Sequence, residues 1–282
     1  MTIIDKMIAA DKECPKRILV IGDCMFDMYV QGRLEPTCQE GCPKFVQESM
    51  VTVPGGAANA ARSLEHWFAR KECLPGKSPS IPHKVRFMVG DKCVWRYDDD
   101  RCELDLNMVR EWTLQTLESW KPEGVLLSDY DKGLLTPEFM RKVIDWCNSN
   151  GVSCVADAKR KPDLYRGAVL KVNSEYSFRH NGSMKFDNLV VTNGDRNPIL
   201  WNEQGVAWGI GSGLHKVPCI NHVGAGDCFA AHLTLALACG FSLKEAAAIA
   251  HSAGRVYVQK RHNTPPHPDE IKADMELSVV SV

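Results

Sequence analysis

The amino-acid sequence predicts an α/β fold in which an open, mostly parallel sheet is flanked by helices and carries a small antiparallel β lid. Short apolar runs rich in β-branched residues alternate with segments of helical periodicity, which is typical of buried parallel strands. These runs cover residues 17–22, 125–130, 152–157 and 189–194. Polar residues follow several runs, at the strand ends where open α/β sheets bind ligands. The lid is predicted by two partly alternating segments rich in β-forming residues, 44–53 and 84–97.

Length and composition limit the organisation of the chain. It has 282 residues, 44% of them hydrophobic, which is enough for the core of one large domain. We therefore expect a single domain over residues 1–282, with lid strands at about 28–53 and 84–100. The formal net charge of −1 gives no electrostatic reason to expect nucleic acid or an acidic membrane as a partner.

The sequence shows neither a membrane span nor a signal peptide. No stretch approaches the roughly 20 apolar residues of a spanning helix, and residues 1–16 lack a signal peptide's apolar core. The twelve cysteines include no Cys-x-x-Cys pair, and no histidine follows Cys38 and Cys42 at finger-like spacing. This pattern favours reduced, mostly buried thiols over a structural zinc site, and it predicts a cytoplasmic protein.

The first predicted strand, residues 17–22, leads directly into two acidic residues. Turn chemistry explains Asp23 as well as a function does, whereas Asp27 lies among apolar residues and is the better candidate for ligand binding. Further along, Gly55 and Gly56 open an alanine-rich helix, with Asn59 one turn inside it. Glycines allow a ligand to approach the backbone closely, although tight packing is an alternative explanation for them.

The remaining elements are predicted from apolar periodicity and from the residues that begin or end helices and strands. The segment between Trp67 and Lys84 is rich in proline, so we expect a loop there and a trimmed edge of the sheet. The last of the predicted helices has a capping box of Ser242 and Glu245. The polar tail after Pro265 is expected to be peripheral. The predicted helices cover residues 104–120, 137–150, 229–238 and 242–257.

The segment from Asn221 to Ala231 predicts a loop that turns into a helix. Its two glycines flank Ala225, Asp227 follows them, and a long apolar run comes next. The first N–H groups of a helix have no intrahelical partner, and with the helix dipole they form an anion site. Simple capping of the helix by Asp227 is an equally plausible interpretation of these residues alone.

The Val-Gly-Ala-Gly-Asp motif at 223–227, followed by a small-residue helix, resembles the signature of the PfkB/ribokinase family of carbohydrate kinases. The resemblance implies a ribokinase-like fold and transfer of the ATP γ-phosphoryl group to a sugar hydroxyl, with Mg²⁺ bridging the nucleotide phosphates. Asp227 would be the catalytic base. The N–H groups of Gly224, Ala225 and Gly226 would form the anion hole for the transferred group.

Two further segments, 21–32 and Leu-Ser-Asp-Tyr-Asp-Lys-Gly at 127–133, resemble the heptose-7-phosphate kinase branch of that family. The implied reaction is phosphorylation of D-glycero-D-manno-heptose 7-phosphate at C1. The resemblance also implies a set of acceptor-binding residues, namely Asp27, Gly55, Gly56, Asn59, Arg96, Asp129 and Lys132. It places Tyr130, together with Asp129 and Lys132, near the phosphoryl-transfer site.

Other segments resemble the nucleotide side of these kinases. Asp157-Ala-Lys159 is similar to an Asp-Pro-Lys motif, and Asn173 with Glu175 is similar to an Asn-x-x-Glu motif that organises Mg²⁺, although one residue shorter. The implied nucleotide-binding residues are Lys159, Asn173, Thr192 and Gly194, and the implied metal ligand is Glu175. The chain departs from the family where Asn221 replaces an acid and Val223 a threonine.

Two alternatives stay open at this point. One is a kinase of the same fold for a fructose phosphate or a pentose, and the other is a non-catalytic sugar- or nucleotide-binding protein on a trimmed kinase. A homodimer through the lid is expected, because exposed sheet edges need cover. Any nucleotidyltransferase step of the heptose pathway would need another protein.

Overall fold

Two sheets organise the chain in the computed structural model, which describes residues 1–36, 40–75, 81–160, 162–174, 188–194, 196–202, 207–209 and 216–280. The twelve strands of the described residues are, in chain order, β1 (Arg17–Gly22), β2 (Cys24–Glu35), β3 (Lys44–Gly56), β4 (Arg70–Leu74), β5 (His83–Val89), β6 (Lys92–Asp99), β7 (Gly124–Ser128), β8 (Ser153–Asp157), β9 (Val169–Asn173), β10 (Asn188–Asn193), β11 (Arg196–Asn202) and β12 (Ala207–Gly209).

Seven α-helices lie within the part of the chain that the structure describes. They are α1 (Ile3–Glu13), α2 (Ala57–Arg62), α3 (Leu106–Trp120), α4 (Pro137–Ser149), α5 (Ala225–Ala238), α6 (Leu243–Val258) and α7 (Pro268–Val280). None of these helices is long and apolar enough to cross a membrane.

The larger sheet has the strand order β12-β11-β10-β9-β8-β7-β1-β4. Pairing is parallel from β4 through to β10, and among the described strands the pairings of β10 with β11 and of β11 with β12 are antiparallel. The predicted α/β fold with an open, mostly parallel sheet is therefore confirmed. Since the parallel strands run in one direction, the polar residues that follow β1, β7 and β8 lie together at the carboxyl-terminal end of these strands.

Each central strand buries both of its faces, which explains its continuous apolar sequence. Alternate residues such as Ile18 and Val20 belong to a core with α2, α5 and α6. The intervening Leu19 and Ile21 belong to a second core with α3 and α4. The sheet is therefore the middle layer between two layers of helices.

Local signals define where the helices begin. Ser242 and Glu245 form the predicted capping box of α6, in which each side chain bonds to the backbone N–H of the other residue. Asp105 caps α3 through the N–H groups of Asn107 and Met108. These contacts satisfy N–H groups that a helix leaves without partners.

The expectation of a loop between Trp67 and Lys84 was wrong for part of that segment. Residues Arg70–Leu74 form β4, which pairs in parallel with β1 at the edge of the larger sheet. An edge strand buries less of its surface than a central strand, so the mixed sequence Arg-Lys-Glu-Cys-Leu is sufficient. Residues 76–80 lie outside the described part of the chain.

The sequence predicted that the tail after Pro265 is peripheral. This prediction was wrong, because the tail forms α7, which packs into the core. Ile271 is fully buried in the core beside α1 and α6. Arg255 of α6 also forms a buried ion pair with Asp274 of α7, with Nε–Oδ distances of 3.1 Å. The sequence of α7 is mostly polar, so it gave no sign of a helix that packs on the core through a few buried groups.

The smaller sheet has the order β3-β2-β5-β6 and contains the segments predicted as the lid. Two antiparallel pairs, β2 with β3 and β5 with β6, are joined by a parallel pairing of β2 with β5. Strand β2 starts two residues after β1 and β3 ends where α2 begins, so both connect the lid directly to the larger sheet.

Candidate functional site

Two glycines of the loop before α5 lie close to side chains of other elements. Gly224 caps the helix with a left-handed φ of 82°. A Cβ atom there would lie 2.4 Å from Asn59 Nδ2 and 2.5 Å from the Tyr257 hydroxyl. A Cβ atom on Gly226 would lie 2.8 Å from Lys171 Nζ. The first N–H groups of α5 are therefore presented between α2, α6 and β9.

Asp227 lies in the first turn of α5 and is 3% exposed. Asn59 Nδ2 donates a hydrogen bond to its Oδ2 at 3.0 Å, and the Tyr130 hydroxyl donates to its Oδ1 at 2.6 Å. Burial and the charge of Asp157 raise the pKa of Asp227 to about 6, against the effect of these hydrogen bonds and of Lys159. A carboxyl with such a pKa suits proton transfer near neutral pH.

Two lysines and one acid lie beside this loop. The Lys171 ammonium is buried and contacts Asp157 Oδ1 at 3.0 Å, and Lys159 contacts the same oxygen at 3.5 Å. Asp157 Oδ2 has no hydrogen-bond partner among the described residues. Burial lowers the pKa of Lys171, and the charge of Asp157 opposes this effect. The cluster places positive charge where an anion would meet the α5 N–H groups.

A cavity of about 1020 Å³ lies beside the two lysines and the loop before α5. Its walls include most of the residues that the sequence assigned to the anion hole and the nucleotide, together with His251 and Arg255 of α6. The predicted residues that line it are Lys159, Asn173, Thr192, Gly194, Gly224, Ala225 and Gly226. Glu175, the predicted metal ligand, lies outside the described residues.

The acceptor candidates Asp27, Gly55 and Gly56 lie together where β2 pairs with β3. The Asp27 carboxylate is buried and accepts a hydrogen bond from Arg86 Nη1 at 2.7 Å. A Cβ atom on Gly55 would lie 2.5 Å from Asp27 Oδ2, and Gly56 has a φ of 57° with the Asp23 carbonyl close by. The missing side chain of Gly55 leaves room for the Asp27 carboxylate. The backbone conformation of Gly56 directs the chain from β3 into α2.

Three other acceptor candidates bind neighbouring residues of this chain. Asp129 Oδ2 accepts hydrogen bonds from Arg160 Nε at 2.8 Å and from the Tyr165 hydroxyl, so this carboxylate fixes the loop after β7. The two remaining candidates form ion pairs at the lid, Arg96 with Asp98 at 2.6 Å and Lys132 with Asp100 at 2.5 Å. Sugar binding by these three residues remains a prediction.

Sequence reasoning missed several residues of the site. Lys171 interrupts an otherwise apolar strand, which is a signal that could have been recognised, since lysine is almost never fully buried without a partner. Arg86 alternates with Lys84 on β5 and offered no such signal. Tyr257 and His251 belong to an alanine-rich helix, and their place in the site depends on the packing of α6 against α5 and on the contact of Tyr257 with Asn59 of α2.

Comparisons with known proteins agree with this geometry. Residues 178–270 match the model of the pfkB family carbohydrate kinases. The chain is 27% identical to Bifunctional protein HldE of Granulibacter bethesdensis, over 94% of this chain and 66% of that protein. It is 28% identical to Bifunctional protein HldE of Helicobacter pylori strain Shi470, over 91% of this chain and 65% of that protein. The chain thus spans about two thirds of the length of these relatives.

Solved structures show the same fold. Phosphofructokinase-2 from Escherichia coli superposes with a TM-score of 0.69 at 15% identity, covering 94% of this chain and 99% of that one. Ribokinase from Thermotoga maritima gives a TM-score of 0.69 at 15% identity, covering 93% and 99%. The chain therefore has the fold of these solved kinases, and its residues 178–270 match the pfkB family carbohydrate kinase model.

Proposed function

We propose that the protein transfers the γ-phosphoryl group of ATP to a hydroxyl of a phosphorylated sugar. The observation that carries this proposal is the position of Asp227 at the start of α5, where it is held by Asn59 and by Tyr130, which itself lines the cavity. In the proposed step, the acceptor hydroxyl loses its proton to the Asp227 carboxylate. The acceptor oxygen forms a bond to the γ-phosphorus, whose bond to the bridging oxygen breaks, and ADP leaves.

Charge on the transferring group would be stabilised by fixed donors. The N–H groups of Gly224, Ala225 and Gly226 lie at the start of α5, where that of Ala225 donates to the His222 carbonyl at 3.3 Å and would have to turn to the transferring group. Donors held in place in this way stabilise developing negative charge. Lys159 and Lys171 add positive charge from the cavity wall. Positioning and electrostatics supply most of the rate gain in phosphoryl transfer, so this arrangement fits the reaction.

ATP and Mg²⁺ are the cofactors we propose. The cavity has room for a nucleotide, and His251 has a buried Nε2 without a hydrogen-bond partner among the described residues, which suits contact with a polar atom of the base. No group of three His, Cys, Asp or Glu side chains in the described ranges is arranged to hold a metal ion. Mg²⁺ would therefore be carried mainly by the nucleotide phosphates, and Glu175 remains a proposed ligand.

The acceptor we propose is D-glycero-D-manno-heptose 7-phosphate, phosphorylated at C1. The resemblance of segments 21–32 and 127–133 to heptose-7-phosphate kinases supports it, as does the similarity to Bifunctional protein HldE. The acceptor side also carries cations that suit a phosphate group, namely Lys84, Arg86, Arg96 and Lys132. A cytoplasmic location belongs to this proposal.

ATP turnover against a panel of acceptors tests the proposed function. The panel is heptose 7-phosphate, fructose 6-phosphate, fructose 1-phosphate, ribose and fructose, each with Mg²⁺. We expect turnover on the heptose phosphate and little on the free sugars, because these lack the group that the lid cations would bind. Turnover on another sugar would contradict the acceptor but keep the chemistry, whereas no turnover on any of them would contradict the proposal.

A further inference from the structure

Tyr130 is fixed at the junction between the acceptor side and the cavity. Its backbone N–H donates to Asp23 Oδ2 at 2.9 Å. The preceding residue, Asp129, is held by Arg160 and by the Tyr165 hydroxyl. Both contacts attach the turn after β7 to buried groups. The ring of Tyr130 consequently has a defined position in the site.

Two cations lie against this ring and belong to different parts of the fold. Lys84 Nζ of the lid strand β5 is 4.9 Å from the ring centre, and Lys159 Nζ, two residues after β8, is 5.1 Å from it. Ammonium groups at such distances are attracted to an aromatic face. The ring thus lies between the cations of the acceptor side and those of the cavity.

The Tyr130 hydroxyl donates a hydrogen bond to Asp227 Oδ1 at 2.6 Å, and Asn59 Nδ2 donates one to Asp227 Oδ2 at 3.0 Å. Burial and the charge of Asp227 raise the pKa of Tyr130 well above its usual value, so this hydroxyl keeps its proton and acts as a donor. Other titratable groups face the pair from several elements, namely Asp27 from β2, Lys84 from β5, Asp157 from β8, Lys159 after it, Lys171 from β9, Cys228 from α5 and Tyr257 from α6.

We propose that Tyr130 is the positioning residue of the base, and that its hydrogen bond keeps the Asp227 carboxylate ionised and directed towards the acceptor hydroxyl. This inference rests on the proposed function of Asp227. Burial and the nearby Asp157 both favour the neutral carboxyl, and the donated hydrogen bond favours the charged one. The acceptor proton goes to Asp227, while Tyr130 retains its own proton throughout.

The direct test is a pH titration of the Asp227 carboxyl carbon by nuclear magnetic resonance, in protein labelled with carbon-13 aspartate. The signal is assigned by its loss in Asp227→Asn. In Tyr130→Phe, which keeps the ring and both lysine contacts, we expect this carboxyl to titrate about one to two pH units higher than in the wild type. An unchanged titration would overturn the inference. No substrate is needed, so the result stands even if none of the tested sugars is phosphorylated.

The pH profile of kcat/KM gives a second measurement. In Tyr130→Phe the acid limb of this profile should move to higher pH, and kcat/KM at high pH should return largely to the wild-type value. A purely structural defect would instead lower kcat/KM at all pH values. A uniform loss without displacement of the limb would therefore count against the proposal. Ser119→Ala is the control, because it removes a hydroxyl from an exposed residue of α3 and should leave the limb in place.

Discussion

At the scale of single residues, Asp227 sets the pH dependence of the proposed reaction. Its pKa is raised to about 6, chiefly by burial. A base works only when ionised, so kcat/KM should fall about tenfold for each pH unit below 6 and reach a plateau above 7. A sugar phosphate also titrates near pH 6, so the limb is compared with the carboxyl titration of the free enzyme. An acid limb near pH 4 would contradict the raised pKa.

The two glycines that flank α5 allow a matched comparison. Gly224 and Gly240 have φ values of 82° and 85°, but a Cβ atom meets Asn59 and Tyr257 at the first position and nothing within 4 Å at the second. Gly240→Ala should cost about 1–2 kcal/mol from backbone strain and keep turnover. Gly224→Ala should cost more and lose most turnover, because the loop is displaced. Thermal unfolding and ATP turnover check both; equal losses in the two variants would contradict the close approach.

Residues within a motif were predictable, and residues that meet across the fold were not. Asn59, Asp227 and the glycines were candidates because each belongs to a short motif with a physical reason of its own and a resemblance to the kinase family, and their roles remain predictions. Tyr257 was missed, since its contact with Asn59 joins residues 198 positions apart. The ion pair of Asp27 with Arg86 likewise depends on the pairing of β2 with β5. Periodicity carries no information on such pairings.

At the scale of elements, the contact between α6 and α7 is expected to stabilise the fold strongly. Asp274→Ala removes the buried partner of the Arg255 guanidinium and should destabilise the protein by about 3–5 kcal/mol. The control is Glu276→Ala on the same helix, where an exposed pair with Lys272 at 3.9 Å is lost and the effect should stay below about 1 kcal/mol. Urea unfolding measures both, and equal midpoints would show that α7 is not held by this pair.

The elements themselves were predictable to different degrees. Central strands and amphipathic helices have long patterns, so β1, β7, β8 and α4 were placed within about two residues. Strand β4 was missed because an edge strand needs no continuous apolar run. Helix α7 was missed because its sequence is polar, and its buried residues, such as Ile271, are few.

At the scale of the whole molecule, the lid is the surface on which we expect two copies to associate. It exposes large side chains on β6, with Trp95 71% and Tyr97 51% exposed, and both point to one face of the strand. Light scattering at micromolar concentration should give the mass of a dimer, and Trp95→Glu should shift it towards the monomer. Trp112→Glu, at an exposed tryptophan of α3, is the control. A monomeric wild type would contradict the proposed dimer.

The central claim is that Asp227 takes the proton of the acceptor hydroxyl. The most direct measurement compares the wild type with Asp227→Asn in single-turnover ATP-dependent phosphorylation and, separately, in ATP affinity by calorimetry. The amide keeps the shape and the burial but cannot act as a base, so the rate should fall by about 10²–10⁴ while affinity changes little. Asp145→Asn, on the exposed face of α4, should match the wild type. Retention of the wild-type rate in Asp227→Asn would contradict the account.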